Sequence, residues 1–299
     1  GYEMPYDIEN PLSAYTLDSG ISTGRAIPFA SELCVADGDI IPEAMAGDEG
    51  TDVAEGLFDI NGKNTLVARN VHKRMNPASI TKVMTALIAL KYGKPEDVLV
   101  ASKNVFISES GAQVIPLKEG DRMTLDQALH ALIMYSANDV AVMIAEYISG
   151  SSEEFCRLMN SEAKKLGATN TNFVNPNGLT DENHYTTAYD LYLIFNEALK
   201  YESFKELIST AEYSFSYTDA SGNTKELSFS NSNQYISGDS TPPSGVSIIG
   251  GKTGTTQAAG SCLILLSQNS AGDPFISVVL NAADRNALYE RMNQMLACE

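Results

Sequence analysis

The chain has 299 residues, enough for one large domain or two lobes, and its 43% hydrophobic and 19% charged content is that of a folded globular protein. A formal net charge of -18 repels polyanions, so neither nucleic acid nor an anionic lipid surface is an expected partner. No apolar run approaches the ~18 residues that span a membrane and no signal peptide opens the chain, so a secreted protein would stand here in mature or trimmed form.

Residues 1–52 lack clear periodicity. From Val35 to Asp52 there are six acids and no base among Gly and Pro, which reads as an acidic leader or linker, partly laid on the surface. Order is expected from Val53. The runs VAEGLFDI and TLVARN flank Asn61-Gly62, a pair that favours a tight hairpin turn. Asn76-Pro77-Ala78 then opens a helix to Lys91, apolar on nearly every side and therefore buried, with Gly93 ending it. Thr124 and Gln127 fit a capping box for a helix to about Tyr135. The polar quartet Ser136-Ala137-Asn138-Asp139 interrupts, and a second apolar helix runs to about Ile148. Further helices are expected over 153–166 and 187–200, separated by an Asn/Pro/Gly-rich loop over 169–181. Strands follow at 213–217, 226–229, 246–253, 261–266 and 275–280, with a last helix over 284–297. This order implies an α+β fold: an antiparallel sheet flanked by helices, with an inserted helical lobe. The expected division is a leader over 1–52 and one domain over 53–299, its sheet lobe 53–75 and 211–299, its helical lobe 76–210.

Cys34, Cys156, Cys262 and Cys298 show no zinc-ligand spacing. Up to two disulfides are open to them, with Cys156 and Cys262 read as free buried thiols. His72, His130 and His184 have no acid or metal partner at a recognisable spacing and are expected to be structural or superficial.

Three short motifs carry chemistry, and each is weak alone. Ser-x-x-Lys occurs at Ser79/Lys82 and at Ser161/Lys164. The second pair lies in a charged stretch and reads as an ordinary helix surface. Lys82, by contrast, is the only charge between Met75 and Leu90. Residues three apart share a helix face, and a desolvated lysine loses its proton readily, so Lys82 is a plausible base for the Ser79 hydroxyl. Ser136-Ala137-Asn138 would serve equally as a helix–helix connector. Yet its apolar flanks would bury it, and buried polar groups need partners. Lys252-Thr253-Gly254-Thr255 ends an apolar strand, and Gly254 would let the backbone approach a ligand, although a plain glycine-rich hairpin fits as well.

Ser-x-x-Lys, Ser-x-Asn and Lys-Thr-Gly in this order form the set of β-lactamases and penicillin-binding proteins. The segments NPASITKVMTAL, MYSANDVAVMIAE, FVNPNGLTDENHYTTAYDL and GGKTGTTQAAGSCLILL resemble the low-molecular-mass penicillin-binding proteins, the serine-type D-alanyl-D-alanine carboxypeptidases, over most of 53–297. The resemblance implies a β-lactamase/transpeptidase-like fold. It implies Ser79 as nucleophile, Lys82 as its base and Ser136 as proton relay. Asn138, Lys252, Thr253, Gly254 and Thr255 would bind substrate, and the N–H groups of Ser79 and Thr255 would form an oxyanion hole. Arg285 would read the terminal carboxylate, a task that suits guanidinium. The implied partners are peptidoglycan stem peptides ending in D-Ala-D-Ala and β-lactams as covalent inhibitors, outside the cytoplasm, with no metal or organic cofactor. The chain departs from many relatives in carrying Thr255 where they have histidine, and in its acidic leader. Many relatives also continue into a small β-domain and an amphipathic membrane anchor. The alternatives are a β-lactamase, a D,D-endopeptidase using the same residues, and a wall-binding module without catalysis. Against the β-lactamase, no glutamate from Asp139 to Gly251 fits the Glu-x-x-Leu-Asn stretch that holds the deacylating base of class A enzymes, although Asp181 and Glu182 are conceivable substitutes.

Overall fold

Strand and helix periodicities in this chain resolve into two sheets around one helical core. The computed structural model describes residues 38–46 and 50–299. Cys34 and most of the expected leader lie outside the described residues. The part of the leader within them packs on the body: Ile40 exchanges both backbone hydrogen bonds with Ala68 at 2.7 and 2.8 Å, and Met45 is buried.

The first hairpin pairs β1 (Ala54–Asp59) with β2 (Asn64–Arg69). Its loop is longer than the two-residue turn that Asn61-Gly62 suggests. The Gly62 N–H bonds Asp59 Oδ1 at 2.7 Å, and Lys63 takes the left-handed conformation. A 3-10 turn over Ala78–Thr81 leads into α1 (Lys82–Tyr92). Two short strands, β3 (Val98–Val100) and β4 (Arg122–Thr124), precede α2 (Leu125–Ile133), which opens on the expected Thr124/Gln127 capping box. Then come α3 (Asn138–Ser149), α4 (Ser152–Lys165), α5 (Ala188–Ala198) and α6 (Glu202–Ser209). The hairpin β5 (Glu212–Thr218)–β6 (Thr224–Ser230), the short α7 (Gln234–Ser237), the strands β7 (Ser247–Thr256), β8 (Gly260–Gln268) and β9 (Pro274–Ala282), and α8 (Arg285–Leu296) complete it.

The main sheet is antiparallel in the order β2-β1-β9-β8-β7. Alternate residues divide its two faces, as strand geometry requires. Leu263, Leu265 and Val279 pack with Leu288, Met292 and Met295 of α8. Ile264, Leu266 and Val278 face the larger cluster, at whose centre α1 is buried from Lys82 to Ala89. The architecture is α+β, as the element order implied.

The strands β5 and β6 depart from the expected division into lobes. They join β3 and β4 in a second sheet, order β3-β4-β5-β6, instead of the main one. Their apolar residues Tyr213, Phe215 and Phe229 pack on the helical cluster, where Tyr213 stacks on His130 of α2 at 3.8 Å. A strand pattern fixes which face is buried but not which sheet supplies the pairing. Among the described residues no helix is long and apolar enough to cross a membrane. Cys156, Cys262 and Cys298 are free thiols, and burial pushes the first two up to about 12.

Candidate active site

The approach to α1 is tighter than the α-helical start that the sequence suggests. The Asn76 side chain caps the Ala78 N–H at 2.9 Å, and Ala78 is left-handed at φ 48°. A non-glycine residue there costs about 1–2 kcal/mol. Ser79 therefore lies in the 3-10 turn that precedes α1, where side chains three apart eclipse one another. That brings Lys82 Nζ to 2.8 Å from Ser79 Oγ.

Lys82 is 0% exposed. Besides Ser79 its Nζ donates to Asn138 Oδ1 at 2.8 Å and to the Asn177 carbonyl at 2.7 Å. Burial first, and then the neighbouring Lys252, hold its pKa well below the ordinary lysine value, with Asp139 opposing. Asn177 comes from the 169–181 loop, which is stitched to α1: Thr85 donates to the Pro176 carbonyl at 2.6 Å. The Val174 N–H donates to His184 Nδ1, so Nε2 carries the proton toward Thr81 Oγ1 at 2.8 Å. Burial takes His184 down to about 4, so it is neutral and structural, as expected.

The polar quartet does connect α2 to α3. Ser136 is left-handed at φ 65°, and Asn138 begins α3. Lys252 Nζ donates to Ser136 Oγ at 3.1 Å and to the Thr253 carbonyl at 2.8 Å. Burial lowers Lys252 to about 7. On β7, Lys252 and Gly254 are two apart and share the face turned toward α1. A Cβ on Gly254 would stand 2.9 Å from the Ser79 nitrogen and 3.0 Å from the Pro77 carbonyl. Strand and turn thus touch backbone to backbone.

A cleft of about 680 Å³ opens over these groups. Ser79, Ser136, Asn138, Thr253, Gly254, Thr255 and Arg285 line it, while Lys82 and Lys252 reach it from below through Ser79 and Ser136. All nine site residues singled out from the sequence therefore converge. Asp181 and Glu182 do not line the cleft and are exposed; the carboxylate on its wall is Glu109. Sequence reasoning missed the Asn177 carbonyl, a main-chain atom without a side-chain signature. It also missed Ser232, whose hydroxyl is 2.7 Å from that of Thr253, and the rim around Glu109 and Gln113.

The chain is similar to several known proteins. Residues 53–284 match the family model described as D-alanyl-D-alanine carboxypeptidase. The chain is 37% identical over 247 residues to D-alanyl-D-alanine carboxypeptidase DacF of Bacillus subtilis, covering 79% of this chain and 59% of that protein. It is 31% identical over 250 residues to the D-alanyl-D-alanine carboxypeptidase DacC of Escherichia coli, covering 80% and 59%. The chain thus spans about three fifths of the length of these curated relatives. The crystal structure of a Streptomyces DD-transpeptidase superposes with a TM-score of 0.75 at 25% identity, over 82% of this chain and 95% of that one.

Proposed function

The chain belongs to the D-alanyl-D-alanine carboxypeptidase family, and from that premise we propose that it removes the terminal D-alanine of peptidoglycan stem peptides through an acyl-enzyme on Ser79. The observation that carries this reading is the buried Lys82 nitrogen 2.8 Å from the Ser79 hydroxyl, at the floor of a cleft edged by the Lys-Thr-Gly strand. Two of the Lys82 hydrogen-bonding directions are taken by the carbonyls of Asn138 and Asn177. Once Lys82 has lost its proton, the remaining direction is a lone pair aimed at Ser79 Oγ.

Ser79 Oγ attacks the carbonyl of the penultimate D-alanine as its proton passes to Lys82. The oxyanion is held by the N–H groups of Ser79 and Thr255, a reading supported by the close approach of Gly254 to the Ser79 nitrogen. As the tetrahedral centre collapses, Ser136 hands a proton to the departing amine of the terminal D-alanine, with Lys252 at 3.1 Å to replenish it. Water then cleaves the ester: its proton passes through Ser136 to Lys252, Lys82 returns its own to Ser79 Oγ, and the shortened peptide leaves. Asn138 and Thr253 orient the peptide, and Arg285 faces its terminal carboxylate. Penicillins acylate the same hydroxyl. Because the substrate is wall peptide, the protein acts outside the cytoplasm.

The test is mass spectrometry of the protein with a pentapeptide ending in D-Ala-D-Ala. Loss of one alanine by the parent, and none by Ser79→Ala with an unchanged circular dichroism spectrum, is expected. Cleavage of cross-linked dimers in place of the pentapeptide would reassign it as an endopeptidase. No cleavage and no adduct would make it a non-catalytic module.

A further inference from the structure

The cleft wall around Glu109 and Gln113 belongs to an irregular segment, residues 106–117, that is fastened to α3 at both ends. Upstream, Asn104 Nδ2 donates to Glu146 Oε1 at 2.6 Å. Downstream, Asp139 Oδ2 accepts the N–H groups of Ile115 at 3.2 Å and Leu117 at 3.0 Å. Asp139 Oδ1 also accepts the Val140 N–H at 3.0 Å. Between these anchors, the Asn138 N–H donates to the Gln113 carbonyl at 2.8 Å. An acid in the first turn of a helix is ordinary, and the helix dipole accounts for the bond to Val140. It does not account for Ile115 and Leu117, which come from another segment. Nor does it account for a carboxylate only 1% exposed. Charge-assisted bonds of this kind are roughly twice as strong as neutral ones.

We propose that Asp139 is a positioning residue of the site: its carboxylate clamps the 113–117 segment to α3, holds the Gln113 wall in register with Asn138, and places a buried negative charge near Lys82. The proposal rests on the reading of Ser79 and Lys82 as nucleophile and base. The Asp139 charge acts on Lys82 of α1 and Tyr217 of β5, and Lys252 of β7 acts on Lys82 in turn. Burial and Lys252 make Lys82 easy to deprotonate, and Asp139 opposes them. Burial raises the Asp139 carboxyl itself, while its backbone N–H donors hold it down. Removing the charge therefore lets Lys82 lose its proton at lower pH.

The experiment compares the parent with Asp139→Asn, full chain, in the second-order rate of Ser79 acylation by a fluorescent penicillin from pH 5 to 9. Asparagine keeps the shape but offers one neutral oxygen, so the bonds to Ile115, Leu117 and Val140 cannot all be kept and those that remain lose their charge assistance. The acid limb should move to lower pH by about half a unit to one unit. Amide exchange at Ile115 and Leu117 should accelerate by about tenfold or more. An acid limb at the parent's pH, or parent-like exchange at both amides, overturns the proposal. Should Asp139→Asn fail to fold, Asp139→Glu keeps the charge but not the reach. Its limb should stay in place while KM for the pentapeptide rises and the two amides exchange faster. Parent-like KM and exchange in that variant overturn the proposal too. Absence of any adduct on Ser79 in the parent would instead sink the functional reading, and the exchange data stand apart from it.

Discussion

Gly178→Ala should damage the site through the backbone, at a cleft-lining position that carries no reacting side chain. Gly178 is left-handed at φ 86°, and a Cβ there would lie 1.9 Å from the Ala78 carbonyl oxygen and 2.4 Å from its carbon. Both are backbone atoms of the turn that carries Ser79, so neither yields as a flexible side chain would. Reaching even 3.0 Å requires the loop to retreat by about 1 Å. The preceding residue, Asn177, supplies the carbonyl 2.7 Å from Lys82 Nζ, and a retreat of that size breaks the bond. A buried donor left unsatisfied costs about 1–3 kcal/mol, and the left-handed conformation about 1–2 kcal/mol more. With about 2–4 °C of melting temperature per kcal/mol in a domain of this size, the fall should be about 4–20 °C. Misplacing a catalytic group by about 1 Å costs roughly 10²-fold in rate. Differential scanning fluorimetry and stopped-flow acylation by a fluorescent penicillin measure the two effects. A variant with the parent's melting temperature and acylation rate would show that the loop does not hold Lys82 in place.

Lys252→Met should stabilise the fold at neutral pH. Lys252 is held to about 7 in the folded chain, so between pH 7 and its ordinary value of 10.5 the unfolded chain binds the extra proton. Stability therefore rises with pH across that window, and the variant's advantage, on the order of a few kcal/mol near pH 7, should vanish toward pH 10.5 in urea titrations; a constant difference would refute it. Arg285→Ala should raise KM several-fold for peptides with a free terminal carboxylate and leave their amidated analogues unchanged, because Arg285 lines the cleft as an exposed cation at the start of α8. Steady-state kinetics on both peptides decide it, and equal effects would remove the role. Stoichiometric penicillin should give an adduct that outlasts the peptide acyl-enzyme, because the wall carboxylate is the exposed Glu109, and a missing general base costs typically ~10²–10⁴-fold. Loss of the adduct mass within seconds, over many turnovers, would make the protein a β-lactamase.

Much of this site was legible because its chemistry lies in side chains at fixed spacings. One lysine in an otherwise apolar helix cannot be bland, and Ser79 three residues before it shares its face. The Thr124/Gln127 box was legible because both partners are local. What escaped the sequence depends on contacts between distant segments. The strands β3 and β4 are three residues long and hold through pairing with each other and with β5. The helix α6 is cut off from α5 by a cap at Tyr201 that carries no side-chain signal. The left-handed Ala78 is imposed by Asn76 and by the loop at Gly178, a hundred residues later. The Asn177 carbonyl, which completes the lysine's shell, is visible in sequence only as a turn-prone Asn-Pro-Asn-Gly stretch.

The two buried lysines pose an electrostatic problem that the acidic chain solves without an ion pair. A carboxylate bonded to Lys82 would stabilise the ammonium and remove it as a base. Among the described residues, the acceptors at Lys82 Nζ are instead a hydroxyl and two carbonyls, all neutral. Those at Lys252 are a hydroxyl and a carbonyl. Asp139, close enough to act on Lys82, is occupied by the N–H groups of Ile115, Leu117 and Val140 and does not bond to it. Burial lowers both lysines, and Lys252 lowers Lys82 further, so neither is held charged by a counter-ion. That arrangement suits the proposed reaction, in which one lysine accepts a proton from Ser79 while the other supports its delivery through Ser136. A single lysine with a counter-ion would hold its proton and do neither.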